Sequence, residues 1–161
     1  MLARTVLPSE NPVTLAEVKT YLKIPTNITD DDELIGDLIS SAVEYVEDDL
    51  GISLATEQWQ YTFRAAKSVI LPRPPVQSVQ SVTTMDNIDV PYTYIAETDT
   101  LEFDSSLGEI LKVNYTAGYI TLPKDLKIAL MRVIAYMYEN RTVSIPAEIL
   151  GAVERYRVLK I

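Results

Sequence analysis

Residues 58–64 read Gln58-Trp59-Gln60-Tyr61-Thr62-Phe63-Arg64. Here the apolar period changes. Trp59, Tyr61 and Phe63 fall on one side of an extended chain, and Gln58, Gln60, Thr62 and Arg64 fall on the other, which is the period-2 signature of a half-buried strand. Immediately upstream the spacing is helical. Leu34, Ile35, Leu38, Ile39, Ala42, Val43 and Val46 form one apolar stripe at 3.6-residue spacing. Asp30 to Glu33 place N-cap candidates and negative charge at its start, and Gly51 stands where a C-terminal cap is wanted. Further back, Thr14 and Glu17 have the spacing of a capping box, with Val13 and Val18 as its hydrophobic staple. Pro25 is expected to stop that short helix, and Asn11-Pro12 to end an extended N-terminal arm.

Downstream, short strands are expected near Val69 to Leu71, Val79 to Met85, Tyr92 to Ile95, Leu101 to Phe103 and Ile110 to Tyr115. Asp86-Asn87, Asp99-Thr100 and Ser105 to Gly108 read as turns. Pro72-Arg73-Pro74-Pro75 reads as a rigid corner between strands, because prolines donate no ladder hydrogen bond. Helical spacing returns at Pro123. Leu126, Ala129, Leu130, Val133 and Met137 form one apolar face, and Ile128, Met131, Ala135 and Tyr138 form a second on roughly the opposite side. A last helix is expected from Pro146, with Ile149, Leu150, Val153 and Tyr156 inward. The fold class expected is α+β: a core of about four helices (residues 14–51 and 123–160) with a β-rich antiparallel insert (residues 57–119), forming a single domain over residues 1–161.

With 161 residues and 47% hydrophobic side chains, a chain of this kind buries roughly two-thirds of its unfolded surface and needs no staple. Cysteine and histidine are both absent. Disulfides and thiolate chemistry are therefore excluded, as are the commonest general base and the commonest metal ligand. No serine has a histidine or a Ser-x-x-Lys partner, and the five glycines make no phosphate loop. The acid run at Asp30 to Glu33 lacks the glycine and closing glutamate of a calcium loop. Paired carboxylates leave a glycosidase formally open, but the dense acids sit where helix capping and solvation account for them. Neither enzyme activity nor any cofactor or metal is expected. Met1 to Leu7 has one positive charge and no long apolar run, so neither a secretory signal nor a membrane span is expected, and synthesis in the cytoplasm follows.

The formal net charge is −9, and it is unevenly spread. From Ile24 to Phe63 there is no lysine or arginine but a run of acids that includes Glu44 and Glu47, whereas the C-terminal region carries Lys124, Lys127, Arg132, Arg141, Arg155, Arg157 and Lys160. A chain of this balance is repelled by phosphate. Two oppositely charged regions could attract each other between copies; the acids could equally serve only to solvate a helix face.

The order of these motifs resembles the small head–tail connector (adaptor) proteins of tailed phages, prophages and gene-transfer agents. It is carried by Val13 to Lys19 with Tyr21-Leu22, Asp31 to Ile35 with Leu38-Ile39, Ala42, Tyr45 to Glu47 and Gly51. It continues through Gln58-Trp59, Leu71 to Val79, Tyr115 to Tyr119, Leu122-Pro123, Tyr138 to Arg141 and, more weakly, Glu154 to Arg157. The resemblance implies a structural virion protein at the head–tail junction, with a ring of about twelve copies in cyclic symmetry. It further implies a portal protein above, the next tail-proximal protein below, and duplex DNA passing through without specific binding. Alternatives are a tail-completion or other ring protein of the same virion, a monomeric protein-binding module, and a carboxylate-based hydrolase. If the chain forms a ring, the candidate contact residues are Ile128, Met131, Ala135 and Tyr138 on the long helix. To these are added Glu44 and Glu47 facing Arg155 and Arg157 of the next copy.

Overall fold

The computed structural model describes residues 1–8, 10–104, 108–142 and 144–158. The chain forms two compact units, one from Met1–Ser9 and Ala55–Ile120, the other from Glu10–Leu54 and Thr121–Ile161. The expected α+β class holds, with every strand but the N-terminal one inserted between the second and third helices.

The first unit is all β. A four-stranded sheet runs in the order β1-β2-β7-β4, from Leu2–Val6 (β1), Glu57–Arg64 (β2), Ile110–Ala117 (β7) and Val76–Thr84 (β4). A three-stranded sheet runs β3-β6-β5, from Ser68–Ile70, Thr100–Glu102 and Thr93–Ile95. Every pairing is antiparallel. In β7 the inward residues Leu111, Val113, Tyr115 and Ala117 are all fully buried and alternate with half-buried polar ones. The β2–β7 register sets Trp59 opposite Tyr115 and Phe63 opposite Leu111, so one face of each strand feeds a single core. Leu71, Leu101 and Phe103 join it from the smaller sheet and its flanks.

The proline corner carries the chain from β3 in the small sheet to β4 in the large one. Three contacts hold it. The Tyr115 hydroxyl donates to Pro72 O at 2.7 Å, Leu71 N donates to Asp99 O at 2.8 Å, and Val76 N donates to the Asp99 carboxylate at 3.3 Å. Burial pushes the Tyr115 hydroxyl above the usual phenol range, so it stays a donor. The turns at Asn87 and Asp99 lie where expected, both with positive φ. Of the turn expected at Ser105 to Gly108, only Gly108 lies among the described residues.

The second unit is helical, with α1 at Leu15–Tyr21, α2 at Asp32–Leu50 and α3 at Lys124–Asn140. Thr14 and Glu17 form the capping box, with Glu17 accepting from Thr14 N at 2.9 Å and Thr14 accepting from Glu17 N at 3.3 Å. Val13 and Val18 are both buried. Helix α1 ends earlier than Pro25 requires. Lys23 adopts a left-handed conformation, with Ile24 N donating to Lys19 O at 2.9 Å and Lys23 N to Thr20 O at 3.2 Å. These two bonds are a Schellman close, which satisfies the last carbonyls before the proline is reached. Lys19 is only 3% exposed. Its ammonium is spent on Thr26 O at 3.3 Å, Ile28 O at 2.5 Å and the Asp32 carboxylate at 2.7 Å, so it ties the link before α2 to α1.

The extended N-terminal arm is a strand, β1, paired with β2. The segment after Pro146 is not α-helix but two short 3-10 stretches, Ala147–Ile149 and Gly151–Tyr156. Leu150 and Val153 are buried and Tyr156 half-buried, three residues apart. That spacing matches 3.0 residues per turn, so the tighter helix keeps all three on one side. Lys160 lies outside the described residues.

Candidate subunit interface

The residues expected at a subunit contact all lie in the helical unit. Along α3, Ile128 is half-exposed, whereas Met131 is only 7% exposed and belongs to the unit's own core with Leu130, Ile134 and Met137. Ala135 and Tyr138 are half-buried. The Tyr138 hydroxyl donates to Asp31 at 2.6 Å, and that bond to a carboxylate raises its pKa. The second apolar face of α3 is therefore largely used inside the chain. Ile128 is its most exposed member.

On α2, Glu44 is exposed, but Glu47 is 1% exposed and accepts from Leu54 N at 2.8 Å. The expectation of Glu47 as a surface charge is thus corrected. Position 47 falls on the flank of the buried stripe beside Val43 and Leu50, and its carboxylate closes the turn that follows the helix. The outward acids are Glu33, Asp37, Glu44 and Asp48.

The C-terminal arginines are also engaged within the chain. Arg157 reaches Asp49 at 2.6 Å and Glu154 at 2.5 Å and also donates to Asp49 O. Glu154 first and Asp49 second raise the Arg157 pKa above its ordinary range, while Arg157 lowers that of Glu154. Arg155 pairs with Asp125 and lies over the Tyr156 ring, 5.1 Å from its centroid. Val158 N donates to Leu50 O at 2.8 Å, next to Gly51, whose φ is +74°. The basic C-terminal segment thus meets the acidic end of α2 inside one copy.

Sequence reasoning passed over two features. One is that Lys124 and Arg132, counted only as part of a basic region, flank the candidate Ile128 on one exposed side of α3, an i, i+4, i+8 spacing that was legible. The other is a groove lined by Asp31, Leu34, Leu38, Met137, Tyr138 and Arg141. It needed the packing of α2 on α3 to be seen.

In the β unit, Trp59 is 5% exposed and has two guanidinium groups over its ring, Arg4 at 5.0 Å and Arg73 at 5.4 Å from the centroid. Arg4 also pairs with the buried Glu57 at 2.5 Å. This is a structural clasp between β1, β2 and the proline corner. Among the described residues no group of three or more histidine, cysteine or acidic side chains could hold a metal ion, and no helix is long and apolar enough to cross a membrane.

A family model described as Head completion protein matches residues 13–157. Among solved structures, a chain of the neck of an empty GTA particle computed with C6 symmetry superposes with a TM-score of 0.81 at 19% identity, covering 100% of this chain and 97% of that one. A chain of the virion of a native gene transfer agent particle gives 0.79 at 17%, with the same coverage. A chain of the neck of a native GTA particle computed with C12 symmetry gives 0.78 at 18%, again covering 100% and 97%. At these identities the likeness establishes a shared fold. No curated protein matches the chain.

Proposed function

The chain belongs to the head completion protein family, a family of structural virion proteins and not of enzymes, and from that premise we propose that it is a subunit of the ring joining head to tail. The observation that carries this is the family match across residues 13–157. The fold shared with chains of particle necks computed with C6 and C12 symmetry supports a cyclic assembly. In this proposal both units act together as one connector module at the head–tail junction. The ring sits beneath the portal protein, lengthens the DNA channel and offers its lower face to the next tail-proximal protein.

The chemistry of the chain suits a conduit. A net charge of −9 gives no counterion-release gain on duplex DNA, so the genome can pass without being gripped. A cyclic ring requires two different surfaces on each copy, one for each neighbour.

The test is reconstitution with purified portal rings of the same particle. The full chain is expected to co-sediment with the portal and to add a ring of density beneath it in cryo-electron micrographs. A chain that neither binds the portal nor forms rings on it overturns the proposal.

A further inference from the structure

We infer that the groove between α2 and the end of α3 is the seat for the exposed Lys124–Ile128–Arg132 stripe of a second copy of this chain. The inference rests on the ring proposed above and names the two faces that would close it.

The groove is apolar where it is most open. Leu34 is 47% exposed and Leu38 is half-buried at the next turn, over a floor that includes Met137 and Tyr138. On the outer side of α2, beyond Leu34, stand the exposed carboxylates of Asp37 and Glu33, about 60° and 100° further round the helix, with Glu44 two turns on. At 1.5 Å per residue, Glu33 and Glu44 are about 16 Å apart along the helix. No lysine or arginine lies anywhere from Ile24 to Phe63.

The stripe is the counterpart. Ile128 is 50% exposed and stands one turn from Lys124 on one side and from Arg132 on the other, both exposed. Among the described residues neither cation has a carboxylate partner, in contrast to Lys127, which is held by Glu17 at 2.6 Å. Lys124 and Arg132 are about 12 Å apart along α3, within the length of the acidic edge. An apolar knob between two cations thus fits an apolar groove flanked by acids. Each surface also holds one exposed charge of the other sign, Arg141 on the groove and Glu139 beyond the stripe, so the exceptions match too.

The two surfaces are distinct. At 3.6 residues per turn Met137, on the groove floor, points to the side of α3 opposite Ile128, and Tyr138 to a side about 80° from it. One copy can therefore receive a neighbour on one side and insert into another on a different side. That is a heterologous contact, which closes into a ring when the rotation permits. The arginines near the C-terminus are occupied within the chain, which leaves α3 to present the basic surface.

The absence of cysteine makes the contact directly readable. Full-length chains carrying Leu38→Cys are mixed with chains carrying Ile128→Cys, alone at high concentration and on portal rings, and treated with a short bismaleimide. The expected result is a covalent species of twice the chain's mass from the mixture and almost none from either variant alone. Adding Lys124→Glu and Arg132→Glu to the second chain should cut the yield about tenfold, because two attractions become repulsions. Glu33→Lys with Asp37→Lys on the first chain should restore it. If the wild-type chain forms rings but the mixture gives no more cross-link than the single variants, this contact is wrong and the ring stands. If the wild-type chain forms no ring under either condition, the ring fails and this contact with it.

Discussion

Gly118 closes the β unit, and replacing it with alanine is the sharpest available perturbation. Its φ is +110°, and a Cβ built there would lie 1.8 Å from Ala55 O and 2.4 Å from Ala55 C, against the 3.0 Å below which something must shift. The obstacle is backbone, so no rotamer change relieves it. The last β7 residue, Ala117, would have to draw away from Glu57 on β2 and Val76 on β4, its two ladder partners. Gly118 itself donates to Pro75 O at 2.8 Å and accepts from the Gln77 side chain at 2.7 Å, and both bonds would go. The φ strain costs about 1–2 kcal/mol, two lost hydrogen bonds about 1 kcal/mol each, and loosened packing beside buried Ala117 about 1 kcal/mol more. Gly118→Ala should therefore destabilise by about 4–5 kcal/mol, which places it among the severe single substitutions. Trp59, the sole tryptophan, lies on β2 two residues from Glu57 and reports the event by fluorescence. With a urea slope of about 2 kcal/mol per molar, the midpoint should fall by about 2 M. A loss below about 1 kcal/mol would refute the reasoning, because it would mean that the two backbones separate freely.

Three further outcomes follow from the helical unit. At Gly36, inside α2, an added Cβ meets nothing within 4 Å, so Gly36→Ala should raise stability by about 0.5–1 kcal/mol in the same urea assay. Lys19→Met removes a buried ammonium that serves two carbonyls and the Asp32 carboxylate; a loss of about 2–3 kcal/mol is expected, with faster hydrogen exchange at the Ile28 amide as the local readout. The Glu17 pKa is lowered by its hydrogen bond to Lys127 first and by the Thr14 backbone amide next. Its contribution to stability is therefore complete above the ordinary glutamate range and is lost as pH falls through the depressed folded value. Lys127→Met should flatten the acid limb of a urea-midpoint profile taken from about pH 7 to about pH 3, and an unchanged limb would remove Glu17 from the account.

Local chemistry was enough to read much of this molecule from its sequence. The alternation around Trp59 and the stripe from Leu34 to Val46 are set by the periods of strand and helix, which act on neighbouring residues. The capping box at Thr14 and Glu17 and the corner at Pro72 to Pro75 are equally local, since both depend on side chains a few positions apart. Composition excluded thiol and imidazole chemistry outright. The order of motifs was enough to expose the family resemblance.

What the sequence left undecided is what depends on partners far along the chain. Leu2–Val6 has no clean alternation and becomes a strand only because β2, some sixty residues on, offers an edge: Leu2 stands opposite Tyr61. Glu47 reads as one more surface acid until the turn after α2 brings the Leu54 amide to its carboxylate. Arg157 reads as a free cation until Asp49, 108 residues earlier, is set beside it. The groove at Leu34 and Leu38 exists only because α3 ends against α2. Periodicity and capping are settled within a few turns of chain, but the choice between a side chain spent inside the fold and one left for a neighbour is made by long-range packing. That choice is what moved the basic part of the candidate interface from the C-terminal arginines to Lys124 and Arg132, on either side of Ile128.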